Sequence, residues 1–594
     1  MIDGIYGVFC LAEGLLGEVE RDWLSIDKRS QRHSCWLGSN AGFRLEDAAP
    51  LPGDTGWFAE ERQVLGFLGD IDNRESLTKL LGLPQNCPAG QILLNALKRW
   101  GDSALLRLQG EWTFLLWDEE TRRLTIAASP VLRDKTYFSV VGGWVAIAPS
   151  IRYLLALQWV PRQMDELGML LSLGRTSLRA QLGDRTYQQG ILHLQPGTIR
   201  HIQLNRQIHS TWSQPPAIED WHGDFADAVQ SMEERARSAV RRRIRRHKTL
   251  AVLLSGGLDS STLAWLTMSE KRSDQRLVAV SSIAGATSGI PDERHWIDLV
   301  ARDLDIEVHY VVPDETVNVY FPSAQWTNYN EFPLTSPRHY LYEKLLSTAY
   351  AIGADAILDG CYGELSLTRY CPVIMTAARG RLFWLRSHWH QSQRMLRTWL
   401  GMDTLDLFHV KLAAGVRERL LPFELAQLHT KKEQQTQVQT YHSPMGLPSG
   451  YQKSALVSGS TPFPGLRWLF PFREPELLAL SAALPASFTN WEGQSRTLVR
   501  AMLRNRLPDE IRLRTKKLPF SPEHELRLQC EAGVRLRELE QTTSKYAWDW
   551  LDMTWLTGAL AQIESGHADT LTMQVAHTMC SAAAFFNWQQ KILI

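Results

Sequence analysis

The sequence predicts two fold classes in one chain: an α+β layered domain, then an α/β domain with a parallel sheet and a mainly helical extension. Three observations predict this. Short apolar runs broken by Gly, Asp, Asn and Pro fill residues 1 to about 212. From Thr249 to Leu358 apolar runs alternate with helix-like segments. From about residue 375 to 594 helical patterning takes over. The first pattern is strand-and-turn punctuation. The second implies right-handed crossovers between parallel strands.

In order along the chain, strands are expected at Ile5–Leu11, Gln63–Gly69, Trp112–Trp117, Leu124–Ala128, Tyr137–Val141 and Trp144–Ala148. Helices are expected at Ala89–Trp100 and Met164–Leu173. Thr211-Trp-Ser-Gln-Pro-Pro-Ala-Ile-Glu-Asp reads as a linker, dividing the chain into 1–212 and 213–594. A charged helix, Asp224–His247, ends in Val240-Arg-Arg-Arg-Ile-Arg-Arg-His. That run is read as a solvated helix end whose cations suit the C-terminal dipole, rather than as a phosphate or RNA contact. Then follow strand Leu250–Leu254, helix Ser260–Ser269, strand Leu277–Ile283, helix Glu293–Leu304, strand Val308–Val312, helix Pro337–Ile352 and strand Ala356–Leu358. Ligands of such sheets bind beyond the carboxyl ends of the strands.

Composition narrows the function. Of 594 residues, 44% are hydrophobic and 22% charged, which excludes wholesale disorder. Lys+Arg and Asp+Glu both number 64, so a general polyanion binder is disfavoured and no nucleic-acid partner is expected. No window reaches the roughly 20 apolar residues of a membrane span, and no basic n-region opens the chain. Seven cysteines without a CxxC pair argue against a disulfide framework or structural zinc, so the expected location is cytoplasmic. Cys361 and Cys371 are expected to be buried packing thiols.

The strongest motif is Leu250-Ala-Val-Leu-Leu-Ser-Gly-Gly-Leu-Asp-Ser-Ser. Ser255, Gly256 and Gly257 let backbone approach an anion, and the following helix start adds N–H donors and a positive dipole end. Ser260 and Ser261 add hydroxyls. The string is not GxxxxGK[ST], so it is not a Walker γ-phosphate loop. Asp259 would repel phosphates unless it holds Mg²⁺. The string resembles the SGGxDSS pyrophosphate loop of ATP-pyrophosphatases (adenine nucleotide α-hydrolase-like, PP-loop enzymes), which split ATP between the α and β phosphates and adenylate a substrate.

Two further segments fit the asparagine synthetase B-like branch of that group. Asp355-Ala-Ile-Leu-Asp-Gly-Cys-Tyr-Gly-Glu-Leu is similar to its second loop. The resemblance implies that Asp359 and Gly360 lie at the nucleotide and that Glu364 joins Asp259 as metal ligand. Leu507-Pro-Asp-Glu-Ile-Arg-Leu-Arg-Thr-Lys-Lys-Leu-Pro-Phe resembles LPxxvxxRxKxxF. By register Arg514 is the family arginine and Lys516 the essential lysine, with Lys517 beside it. A cation there would stabilise charge on the α-phosphate. Leu254 and Ile283 would flank the adenine. Phe470-Pro-Phe-Arg-Glu-Pro resembles RVPFLDxxL, with Leu469 in place of the usual Arg.

Asp70-Ile-Asp-Asn-Arg-Glu-Ser-Leu, Leu108-Gln-Gly-Glu-Trp-Thr-Phe and Ala146–Leu155 are similar to the Ntn-hydrolase-like glutaminase sandwich of asparagine synthetase B. That domain uses an N-terminal Cys as nucleophile. Here, aligned on Gly4-Ile-Tyr-Gly-Val, Asp3 stands in its register, and Asp70-Ile-Asp-Asn replaces the glutamine-binding YNGE. A degenerate amidotransferase-like domain without glutaminase activity is therefore expected, the attacking amine coming from the substrate. Among family members that do this, the chain is most similar to lasso-peptide cyclases, which close a macrolactam between a peptide's N-terminal amine and an Asp or Glu side chain. That resemblance implies ATP, Mg²⁺, a precursor peptide, a leader peptidase and a leader-recognition protein. A β-lactam synthetase-like or other small-molecule amide synthetase is the alternative. A tRNA-modifying ligase is disfavoured by the charge balance and the missing CxxC. Tyr362 and Glu331 are candidate bases. An aromatic and basic insertion, Arg379-Gly-Arg-Leu-Phe-Trp-Leu-Arg-Ser-His-Trp-His, together with the 22 tryptophans, suits a peptide-binding surface.

Overall fold

A computed structural model describes residues 3–25, 33–47, 55–131, 134–174, 179, 182–212, 221–285, 288–313, 318–369, 409–416, 459–491, 494–518, 521, 523–542 and 545–593. The 213–220 part of the linker, Cys371 and the aromatic insertion lie outside these residues.

Among the described residues the first part holds twelve strands: β1 Gly4–Cys10, β2 His33–Leu37, β3 Ala41–Glu46, β4 Gly56–Glu60, β5 Gln63–Gly69, β6 Trp112–Asp118, β7 Arg123–Ala128, β8 Tyr137–Val141, β9 Trp144–Ala148, β10 Ile191–His193, β11 Thr198–Gln203 and β12 Arg206–Thr211. They form two six-stranded antiparallel sheets, β10-β8-β9-β1-β3-β2 and β12-β11-β7-β6-β5-β4. Alternation decides the layering, because successive side chains leave a strand on opposite faces. Phe9, Phe43, Ile147, Leu68, Trp117 and Ile126 meet between the sheets as one buried core. Leu65, Phe67, Trp112 and Phe114 leave the opposite face and pack under helix Ala89–Trp100 through Ile92 and Leu93.

The second part is built on a five-stranded parallel sheet, ordered β15-β14-β13-β16-β17. Its strands are β13 Thr249–Leu253, β14 Arg276–Ser282, β15 Glu307–Val311, β16 Ala356–Leu358 and β17 Arg467–Leu469. All neighbours run parallel. Strand β17 falls in the stretch expected to be mainly helical. Three residues are too few to show a period, and only its pairing with Ala356–Leu358 makes it a strand. β14 extends the sheet on one side of β13 and β16 on the other, so a switch point lies between β13 and β16.

Helix Phe225–Ile244 covers one sheet face. It starts at a capping box in which Asp224 accepts from Asp227 N at 2.9 Å and Asp227 accepts from Asp224 N at 3.0 Å. Its basic end does not lie in solvent as expected. Arg242 and Arg243 meet Asp72 at 3.5 Å, and the Arg243 Nε donates to Glu474 at 2.7 Å. Arg245 and Arg246 both reach Asp70, and Arg243 also faces Glu111 at 3.6 Å. The run is thus a partly buried junction between the two parts, neutralised by acids of the first. Sequence could not show this, because the partners lie over 100 positions away. A second, apolar junction joins Tyr6, Leu154 and Leu170 to Val278, Tyr340 and Phe585 in one core.

The Arg243 side chain is only 7% exposed and serves three carboxylates, so its removal would leave buried charge unpaired. Arg243→Ala is expected to cost about 3–5 kcal/mol, read by urea denaturation. Burial alone would raise the Glu474 carboxyl, but Arg243 and then Arg242 outweigh it and hold the group below its ordinary 4.5. The stability this pair contributes should therefore be present above pH 4.5 and be lost as pH falls through the lower folded value. Glu474→Gln should flatten that acid limb.

Candidate active site

The loops after β13 and β16 face each other at the switch point. Gly256 adopts φ +64°, and a Cβ there would stand 2.7 Å from Trp296 Cβ, so only glycine fits this turn. Ser255 N donates to Ser260 Oγ at 3.1 Å, which closes the turn at the start of helix Leu258–Glu270. The first N–H groups of that helix have no intrahelical partner and point out of its N-terminal end. Ser261 does not join them: it is 0% exposed, beneath the loop. Leu254 and Ile283, expected beside an adenine, are 2% and 6% exposed and belong to the core under the loop. Little of either side chain is open to a ligand.

The second loop packs directly on the first. A Cβ on Gly360 would meet Asp259 C at 3.2 Å, and one on Gly363 would stand 2.1 Å from Asp259 Oδ1. Thr368 donates to the same oxygen, and Arg496 lies 3.4 Å from Oδ2. No sequence motif marks Thr368. Arg496 follows the small hairpin Asn490–Trp491/Gln494–Ser495 in a left-handed turn at φ 61°, and no motif marks it. Glu364 shares a cavity of about 480 Å³ with Gly257, Arg496, Arg514, Lys516 and Lys517. Burial, then repulsion by Asp259, raises the Glu364 carboxyl above its ordinary value. Two mutually repelling carboxylates on facing loops are a hard-oxygen donor pair that a divalent cation would relieve. With only two protein ligands, such an ion would keep waters and substrate phosphates, as Mg²⁺ commonly does.

The cation next to the turn is Lys517 rather than the expected Lys516. Lys517 Nζ donates to Ser255 Oγ at 2.9 Å and lies as close to a Cβ position on Gly257. Desolvation at its ammonium end, against the pull of Asp259 and Glu293, lowers its pKa. Lys516 lines the same cavity, and the side chains of both lysines are exposed. Arg514 is spent on holding the loop: it donates to the Gly256 carbonyl at 3.1 Å, pairs with Glu293 and lies 4.4 Å over the Trp296 ring. It is a positioning residue.

On the other side of the acidic loop, a cavity of about 530 Å³ is walled by Trp326, Tyr342, Asp359, Tyr362, Trp468 and Phe470, among others. Desolvation, then Arg473, acts on Tyr362, and its hydroxyl pKa is raised on balance. Cys361, expected in a packed interior, is exposed on this wall. Desolvation of the thiol and then Asp359 push its pKa up. Glu331 cannot be a base for this site. It is 2% exposed, its carboxylate accepts from Ile151 N at 2.9 Å and Arg152 Nε at 3.1 Å, and Ser150 Oγ also donates to it. Instead of a cation at Leu469, the strand carries Arg467, which is buried and turned to Asp134 at 2.7 Å and Asp3 at 3.6 Å.

Because the Cβ position on Gly363 falls on the Asp259 carboxylate, Gly363→Ala is expected to weaken binding of ATP with Mg²⁺ at least about tenfold by titration calorimetry. Gly558→Ala, where a Cβ meets nothing within 4 Å, is the control and should leave it unchanged.

Residues 231–583 match the asparagine synthase family model, and residues 58–213 match a glutamine amidotransferase domain. The amidase chry2 of Gibberella zeae is 27% identical over 293 residues, 46% of this chain and 41% of that one. The amidase chyE of Penicillium rubens is 25% identical over 298 residues, with the same shares. A putative glutamine-hydrolyzing asparagine synthetase of Mycobacterium bovis is 25% identical over 268 residues, 41% of this chain and 40% of that one. The chain spans about two fifths of the length of these curated relatives. No helix among the described residues is long and apolar enough to cross a membrane. With the glycine turn, the acidic loop and the lysine segment gathered at one crevice, and the family model matched over more than half of its length, this chain belongs to the asparagine synthase family.

Proposed function

We propose that the chain is an ATP-dependent, AMP-forming amide ligase that closes a macrolactam in a peptide. A side-chain carboxylate of Asp or Glu in a precursor peptide attacks the α-phosphorus of ATP, the α–β bond breaks and pyrophosphate leaves. The peptide's own N-terminal amine then attacks the acyl carbon, AMP departs with the bonding electrons, and the amine proton is released. The observation that carries this reading is one loop, residues 359–365, whose first residues wall the aromatic cavity and whose last residues wall the nucleotide crevice. A group held there is presented to the loops, and positioning supplies much of the rate of an intramolecular closure.

In this reading the turn at Ser255–Gly257 and the helix N-terminus hold the phosphates. Lys517 stabilises the charge that develops on the α-phosphate. Asp259 and Glu364 would hold Mg²⁺, which would supply positive charge against the leaving pyrophosphate. The α-amine, with a pKa of about 8, is partly neutral at pH 7 and requires no strong base.

An internal amine is supported by the state of the first domain. Asp3, in the register of the amidotransferase nucleophile, is paired with Arg467. Asp70 and Asp72, in place of the glutamine-binding loop, are engaged by Arg245, Arg246 and Arg242. The cavity lined by Asp70, Glu111, Arg243 and Arg467 holds about 50 Å³ and is bordered by charge. A second reading, a small-molecule amide synthetase, is favoured by the size of the aromatic cavity, about 530 Å³, which suits a compact ligand. The two relatives named amidases support it as well.

With a core peptide bearing a free N-terminus, ATP and Mg²⁺, pyrophosphate, AMP and a product lighter by one water are expected by coupled assay and mass spectrometry. A leader peptidase and leader-recognition protein are added if the full precursor is used. Acetylating the N-terminus should abolish the product. Failure of every peptide, with turnover of an amine and a small acid, would establish the second reading. Lys517→Ala should lower kcat about 10²–10³-fold, and Lys516→Ala less; the reverse order would restore Lys516 as the acting lysine. Glutamine should yield no glutamate.

A further inference from the structure

Among the described residues, one wall residue of the aromatic cavity comes from the first domain. Arg179 lines it together with Trp326, Tyr342, Trp468 and Phe470. The other cross-domain arginines are matched to acids: Arg152 to Glu331, Arg243 to Asp72, Arg467 to Asp134. Arg179 is not. Its Nε and Nη2 share one acceptor, the Gly174 carbonyl, each at 3.3 Å, and its guanidinium lies 5.7 Å from the Phe332 ring centroid. Among the described residues no carboxylate pairs with it. Desolvation pulls its pKa down to about 10.

A half-desolvated guanidinium beside aromatic walls is unfavourable until an anion arrives. A carboxylate fits its fork geometry with two parallel hydrogen bonds. The cavity also contains Asp359, 7% exposed, on the loop it shares with the nucleotide crevice. His409 also lines the cavity, and with Asp359 as its carboxylate and Arg179 as its permanent cation, charge orients an acid-bearing ligand toward Arg179.

We propose that Arg179 recognises a spectator carboxylate of the substrate, so that the cavity takes a carboxylate carried on an aromatic or large apolar group. This assignment rests on the reading of the cavity as the ligase's substrate site. It also gives the first domain a part in that site. The carboxylate can belong to a peptide or to a free aromatic acid, and the probes separate the two.

Titration calorimetry on the full chain without ATP tests it, with 3-phenylpropanoate against 3-phenylpropanamide, and a tetrapeptide ending in Phe carboxylate against the same peptide amide. At least one acid is expected to bind about tenfold or more tighter than its amide. Binding by the peptide pair alone identifies a peptide ligand, and binding by the small pair alone identifies a free acid. Arg179→Met should erase the preference and leave the amide's affinity unchanged, with the thermal unfolding midpoint unshifted. Arg179→Lys should restore part of it, since the charge remains and the fork is lost. Equal binding of acid and amide in the wild type, an unchanged preference in Arg179→Met, or no binding of any probe at millimolar concentration would overturn the assignment. Acid-selective binding without product from any peptide would instead overturn the peptide macrolactam reading and leave this assignment standing.

Discussion

Everything at the crevice depends on two strands ending side by side. β13 and β16 pair in parallel from Leu250 with Ala356 to Val252 with Leu358. Their carboxyl ends release the glycine turn and the acidic loop at the same height. Neither loop is a site alone. The turn offers N–H groups and a dipole, which attract phosphate, and carries Asp259, which repels it. The second loop brings Glu364 to the same cavity and, through Gly360 and Gly363, backbone close enough to fix the Asp259 carboxylate. The glycines are required here by contact distance rather than by flexibility.

Cations are then distributed by task. Arg514, tied to Glu293 and Gly256, braces the turn from outside. Arg496 and Lys517 face the acids and hydroxyls of the loops directly. The longest basic run, at the end of helix Phe225–Ile244, does none of this and holds the two domains together instead. Equal totals of 64 acids and 64 bases thus conceal strong local pairing between distant segments.

The first domain keeps the sandwich of an amidotransferase, and its surface is committed to the second domain. Asp3 and Asp134 receive Arg467, and Asp70 and Asp72 receive the arginine run. Lys135 caps the carbonyls of Tyr329 and Asn330 at 2.9 and 3.0 Å, and Glu331 is held by the Ser150–Arg152 turn. Helix Ala324–Asn330, which brings Trp326 and Tyr329 to the aromatic cavity, is therefore positioned from across the domain boundary. The domain acts as a buttress of the neighbouring site.

By itself the sequence determined what local pattern can encode. Strands Gln63–Gly69, Tyr137–Val141 and Ala356–Leu358 and helix Ala89–Trp100 are legible to the residue, because alternation, helical period and turn residues act over a few positions. The glycine turn and the acidic loop are legible because their chemistry lies in contiguous residues. Only the tertiary structure decided the rest. Lys516 and Lys517 are neighbours whose side chains leave the backbone in different directions, so which one meets Ser255 depends on how the segment lies on the turn. Strand β17 exists through its partner, and Leu254 and Ile283 are core because helices cover them. Arg496, Thr368 and Arg179 reach their places across intervals of 100 residues or more, where no local period carries information. The reason is common to all of them: a charge or a contact takes its meaning from what the fold sets opposite it, and that partner is remote in sequence.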